Sequence, residues 1–142
     1  MPDAASALAG RWLKRARSDA RIGRRLLADR APDDAWAACF HAQQAGEKAV
    51  KAFLVARGID FPKTHDMARL SGLVHAGAAI SNSRRDLEWL TYFATAGRYF
   101  LEDPIGSAEP GWDDAERALE IAGQLLHWVE RDATARGWTE SG

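Results

Sequence analysis

Glu47 has an amide one helical turn before it, Gln43, and an ammonium one turn after it, Lys51, within the run FHAQQAGEKAVKAFL from Phe40 to Leu54. Steps of four residues place these side chains on one side of a helix. Trp36, Phe40, Val50 and Leu54 continue the same line at steps of three and four, so polar groups interrupt an otherwise apolar stripe. Two kinds of chemistry fit. The amide and carboxylate either contact a ligand or fix the register of a packed or dimeric interface. In both cases a buried carboxylate needs a cation and hydrogen bonds. Arg98 is the expected cation. Lys48 and Lys51 emerge at the edge of the stripe, and Lys51 can also pair with Glu47 along the helix. His65, beside Asp66, supplies an imidazole that can serve as a ligand contact, a general base or part of a helix start.

Other chemistries lack their residues. His41, His75 and His127 share no metal-ligand spacing with each other or with carboxylates, so neither a metal nor any other cofactor is expected. His41 is near the polar stretch, but helix geometry turns it away from Gln43. There is no glycine-rich phosphate loop. Cys39 is the single cysteine and reads as a small core residue.

Positioning these groups falls to helices. A first helix is predicted from about Ala5 to Asp29, with Leu8, Trp12, Ala16, Ala20, Gly23 and Leu27 as its inner stripe. Ala31-Pro32 ends it, and Asp33 or Asp34 offers a carboxylate to the N–H groups that open the central helix. That helix runs from Asp34 to Gly58, a residue suited to a left-handed C-terminal position. Ala38, Ala42, Ala45, Ala49, Ala52 and Ala56 form a second stripe roughly opposite the first, so the helix is central and packed on two sides. A short third helix follows from about Asp66 to Gly77, capped by Thr64, with Met67, Leu70 and Val74 inward. A fourth runs from about Ser83 to Gly97 on Leu87, Leu90, Thr91 and Ala94. Leu101 to Gly111 is irregular. Asp113 and Asp114 open a last helix on Ala115, Leu119, Ala122, Leu126 and Val129, ending near Gly137. With no credible strand, the expected fold is all-α: an antiparallel up-and-down bundle of four long helices plus one short helix.

Length is consistent with one domain over residues 1–142, core about 5–136. Hydrophobic residues at 46% and charged residues at 27% suit a globular chain rather than a disordered one. No apolar run approaches the roughly 20 residues of a spanning helix, and no signal core follows the N-terminus. A cytoplasmic chain without membrane attachment is expected. The net charge of −1 conceals an asymmetry: residues 1–30 carry eight Lys or Arg against three acids, residues 101–142 three against ten. The two ends should attract one another, while the basic end is also a candidate surface for RNA or nucleotide phosphates.

Phe40 to Leu54, followed by Thr64-His65-Asp66 and then by Arg98-Tyr99, resembles the HEPN family, the higher eukaryote and prokaryote nucleotide-binding domains, over about Ala16 to Ala133. Gln43, Gln44, Glu47, Lys48, Lys51, Thr64, His65, Asp66, Arg98 and Tyr99 occupy the family's patterned positions. The resemblance implies a homodimeric helical bundle with a cleft for nucleotide or RNA, often accompanied by a small nucleotidyltransferase. It makes Gln43, Glu47, Lys48, Lys51, His65, Arg98 and Tyr99 the ligand-binding candidates. Some members are ribonuclease toxins of toxin-antitoxin pairs that use an arginine and a histidine separated by four to six residues. After Arg98 those positions hold Asp103, Pro104 and Ile105. Arg69 and His75 have that spacing on the short third helix, where it reads as accidental. The expected role is therefore a non-catalytic binding module. The alternatives are a metal-independent ribonuclease with a divergent site built on Arg98 and His65, or a purely structural dimerisation subunit.

Overall fold

The computed structural model describes residues 3–74, 80–95 and 109–138. Among them are five α-helices and no strand: α1 Ala4–Asp29, α2 Ala35–Ala56, α3 Met67–Ser71, α4 Arg84–Thr91 and α5 Trp112–Arg136, with a 3-10 turn over Tyr92–Ala94. The all-α bundle expected from the periodicity is the observed architecture. Two helices are shorter than expected: the fourth gives way at Tyr92 to the 3-10 turn before reaching Gly97, and the third ends at Ser71, with Gly72 as its C-cap, rather than near Gly77.

Helix ends follow local chemistry. The Asp3 side chain accepts from Ser6 N at 2.8 Å and opens α1. Arg30, at φ 50°, closes it in a left-handed conformation, with its N–H on Leu26 O at 2.9 Å. Asp34 occupies the N-cap of α2, yet its side chain makes no capping hydrogen bond. Gly58, at φ 67°, ends α2 as expected, and Ile59 N reaches back to Leu54 O at 2.9 Å. Asp66, not Thr64, caps α3: it accepts from Arg69 N at 3.1 Å, while Thr64 Oγ1 accepts from Asp66 N at 3.1 Å. Asp114 Oδ2 accepts from Gly111 N at 3.0 Å at the start of α5.

The central helix is buried on both expected sides. Ala38, Ala42, Ala45, Ala49 and Ala52 are sealed, and small side chains there let α1 lie close against α2. At Gly23 the approach is tighter: a Cβ there would stand 2.7 Å from Leu119 Cδ2 of α5 and 3.5 Å from Ala38 O of α2. Gly46 meets three elements at once, because a Cβ would come within 3.1 Å of Leu125, Leu90 and Met67 from α5, α4 and α3. The buried line of α1 runs through Ala9, Leu13, Ala16, Ala20 and Gly23, leaving Leu8 exposed. Towards the N-terminus it is therefore rotated by one residue from the expected stripe. Trp36, placed by periodicity on the stripe of Glu47, is exposed at the first turn of α2. The α5 stripe is buried as expected.

Cys39 lies in this core, fully buried. Burial pushes its thiol up to about 12, and the Asp114 carboxylate adds to the rise. The far end of the bundle is tied by Asp132, which accepts from Arg57 at 2.8 Å and from Trp138 Nε1 at 3.0 Å. No helix among the described residues is long and apolar enough to cross a membrane.

Candidate functional site

Gln43, Glu47 and Lys51 do share one side of α2, and all three are buried. Gln43 Nε2 donates to Glu47 Oε1 at 2.9 Å, and Lys51 Nζ donates to Glu47 Oε2 at 3.0 Å. Gln44 Nε2 donates to Gln43 Oε1 at 2.7 Å, so the amide's oxygen is satisfied as well. His65 arrives from the α2–α3 connection and places Nδ1 2.8 Å from Glu47 Oε1. Three groups, from Gln43, Lys51 and His65, converge on one carboxylate.

That convergence decides the protonation of Glu47. Burial alone would raise its carboxyl, but hydrogen bonds from Gln43, Lys51 and His65, with the Lys51 charge, outweigh it and hold the group below the ordinary carboxylate range. An ionised carboxylate only accepts, so His65 Nδ1 carries the proton of that bond. In the neutral ring Nε2 is then a bare acceptor. His65 is 58% exposed, and Nε2 has no partner among the described residues. The protein thus anchors an imidazole by one nitrogen and offers the other.

Lys51 is held as firmly as Glu47. Its Nζ lies 5.7 Å from the ring centroids of both Trp12 of α1 and Phe61 of the α2–α3 connection. It is therefore a caged cation rather than a lysine at the mouth of a groove. Lys48, expected on the same edge, goes elsewhere. One residue beyond Glu47 on a helix turns the side chain by about 100°, and Lys48 Nζ donates to Asp19 Oδ2 at 2.6 Å. Asp19, itself buried, also lies 2.9 Å from His41 Nδ1. The turn of His41 away from Gln43 is as helix geometry required, and its destination is α1.

Arg98 and Tyr99 lie outside the described residues, as do His75, Asp103, Pro104 and Ile105. Among the described residues Lys51 supplies Glu47 with its cation, the pairing along the helix that the spacing allowed. Arg69 sits on α3 with its N–H in the Asp66 cap. Asp19 and Phe61 are contributors that periodicity did not single out, although Asp19 had a signal: it is a lone acid in register with Ala16, Ala20 and Gly23. Trp12 and Thr91 stand on the expected inner stripes of the first and fourth helices, but their partners lie across the fold. Thr91 Oγ1 accepts from Met67 N at 3.0 Å and donates to Leu87 O at 2.8 Å, pinning the start of α3 two residues after His65.

Among the described residues no group of three His, Cys, Asp or Glu could hold a metal ion. A cavity of about 330 Å³ between α3 and α4, lined by Ala68, Val74, Ile80 and Leu87 with Asn82 and Arg84, shares no residue with the Glu47 cluster.

Comparisons with known proteins agree with this architecture. The family model of the HEPN domain matches residues 9–132. The crystal structure of a Thermus thermophilus protein superposes with a TM-score of 0.71 at 30% identity, covering 87% of this chain and 96% of that one. The crystal structure of an archaeal HEPN homologue superposes with a TM-score of 0.66 at 24% identity and the same coverages, a likeness of fold. The chain matches no protein of curated function.

Proposed function

Because the chain belongs to the HEPN domain family, we propose that it is a non-catalytic nucleotide- or RNA-binding module, working as a homodimer and as the accessory subunit of a small nucleotidyltransferase or of a toxin-antitoxin pair. One observation carries the binding part of this reading: the Glu47 cluster is internally saturated, and it presents His65 Nε2 outward as its free polar atom among the described residues. A preorganised acceptor of this kind suits a base N–H or a ribose hydroxyl, and a protonated ring suits a phosphate oxygen. Lys48 and Lys51 are each committed to a carboxylate; the family resemblance assigns Arg98 and Tyr99 to the ligand as well.

Calorimetric titration with a panel of mono-, di- and triphosphate nucleotides tests the reading. The unmodified protein should bind at least one of them. His65→Ala should weaken binding about tenfold, the worth of one good hydrogen bond to a partly buried group, with unchanged helical content. Absence of binding across the panel would sink the proposal.

A second reading has a specific observation in its favour. A carboxylate that fixes the tautomer and orientation of an imidazole is the arrangement by which proteins prepare a general base. In an RNA-cleaving protein His65 Nε2 would take the 2′-hydroxyl proton and Arg98 would stabilise the phosphorane charge. Incubating purified protein with total RNA beside His65→Ala, Glu47→Gln and Arg98→Ala variants separates the readings: cleavage lost in these variants makes the site catalytic, whereas intact RNA throughout favours the binding module.

A further inference from the structure

The attraction between the basic first helix and the acidic last one is real but consumes little of the charge. Of the eight cations in residues 1–30, Arg17 pairs with Glu130 at 2.9 Å and Arg30 with Glu116 at 3.5 Å, both across to α5. Arg11, Lys14, Arg15, Arg21, Arg24 and Arg25 are exposed and make no ion pair among the described residues. Intramolecular pairing therefore does not account for the excess.

Their placement is ordered. At about 100° per residue, Arg11, Lys14, Arg15, Arg21 and Arg25 fall within an arc of about 120°, opposite the buried line of Leu13, Ala16 and Ala20. At about 1.5 Å per residue the row is about 21 Å long. Asp19 is the acid within this span, and it is turned inward to His41 and Lys48. Arg11 with Arg15 and Arg21 with Arg25 are like-charged neighbours one turn apart, a spacing that costs a helix a few tenths of a kcal/mol each. The face therefore adds nothing to the fold. Four of its five cations are arginines, whose planar fork matches two phosphate oxygens at once. Since the whole chain carries a net charge of only −1, the row is a local positive field on a near-neutral molecule.

We infer that the outer face of α1 is a docking strip for the phosphate backbone of a nucleic-acid strand, a surface separate from the Glu47–His65 site and read through charge rather than sequence. The strip lies on the side of α1 away from α2, so a strand on it and a nucleotide at His65 occupy different faces.

The test is fluorescence anisotropy with a labelled single strand of ~20 nucleotides, as RNA and as DNA, at several salt concentrations, using the full chain and an Arg15→Gln/Arg21→Gln/Arg25→Gln variant. Each lost phosphate contact removes about 0.7 from the slope of log affinity against log salt, so the triple variant should lower the slope by about 2 and weaken binding at least tenfold at low salt, for RNA and DNA alike. Circular dichroism should show the fold intact, because the substitutions remove repulsion. Equal affinity and slope in the two proteins, or no strand binding by the unmodified chain, overturns the strip. So does a variant that keeps strand binding while losing a polyglutamate chain, which would assign the face to an acidic protein. Mononucleotide binding should be indifferent to the triple variant and sensitive to His65→Ala, so failure of the strip and failure of the His65 site are told apart.

Discussion

Glu47 is approached by three donors from two directions along α2 and from the α2–α3 connection, so the effect of replacing it depends on what is replaced with it. Gln43→Leu with Glu47→Leu removes the acceptors but leaves Lys51 charged, 7% exposed and without its carboxylate. An orphaned buried charge costs about 3–5 kcal/mol, so the double variant should be strongly destabilised in urea unfolding. Adding Lys51→Met should recover most of that loss, because an apolar group of similar length fills the space between Trp12 and Phe61. If the double variant alone matched the unmodified protein, the cluster would not be the buried ion pair described. The sign of the pH effect follows from the depressed Glu47 carboxyl. Its contribution is complete above the ordinary carboxyl value of 4.5 and is lost as pH falls through the lowered native value. Urea midpoints followed from neutral pH into that acid range should fall less steeply for Glu47→Gln than for the unmodified chain.

At the scale of elements, the site depends on how α3 is seated. Thr91 of α4 accepts the Met67 N–H, and this bond fixes the point from which the connection reaches back to deliver His65. Thr91→Val keeps shape and leaves that N–H without its partner, at a cost of about 1–3 kcal/mol. The expected signature is a lower urea midpoint together with an altered His65 ring resonance in proton NMR; an unchanged ring environment would show that α3 is seated by packing alone. The helices themselves were legible in the sequence, because three- and four-residue periodicity survives in any buried amphipathic stripe. Gly58 was legible too, since its left-handed φ is a local demand. What periodicity does not carry is which residues from different helices meet. Lys48 and Lys51 look alike along the chain, yet one turns to Asp19 and the other to Glu47 between two aromatic rings. Thr64 and Asp66 are both good caps, and the choice between them rests on α3 opening at Met67, which puts Asp66 at the N-cap and leaves Thr64 to accept from Asp66 N.

Over the whole molecule, charge and packing do different work. The Arg17–Glu130 pair joins first and last helices, but both side chains are about a third exposed, and such pairs contribute roughly 0–1 kcal/mol. Arg17→Gln should therefore shift the unfolding midpoint only slightly, and raising salt should do little more. A large loss would mean that electrostatics, rather than the alanine and glycine contacts among α1, α2 and α5, hold the bundle together.

Cys39 turns the bundle into its own clock. A thiol that is completely covered and raised to about 12 is scarcely ionised at neutral pH and shut off from reagents while α1, α2 and α5 remain together. Alkylation by a maleimide should then proceed only through opening of the core, and its rate, followed by mass spectrometry, should track global unfolding. Since the chain has no other cysteine, a single mass increment reports the event in a purified sample or a crude extract. A ligand that closes the bundle would slow that increment even before its own site is known.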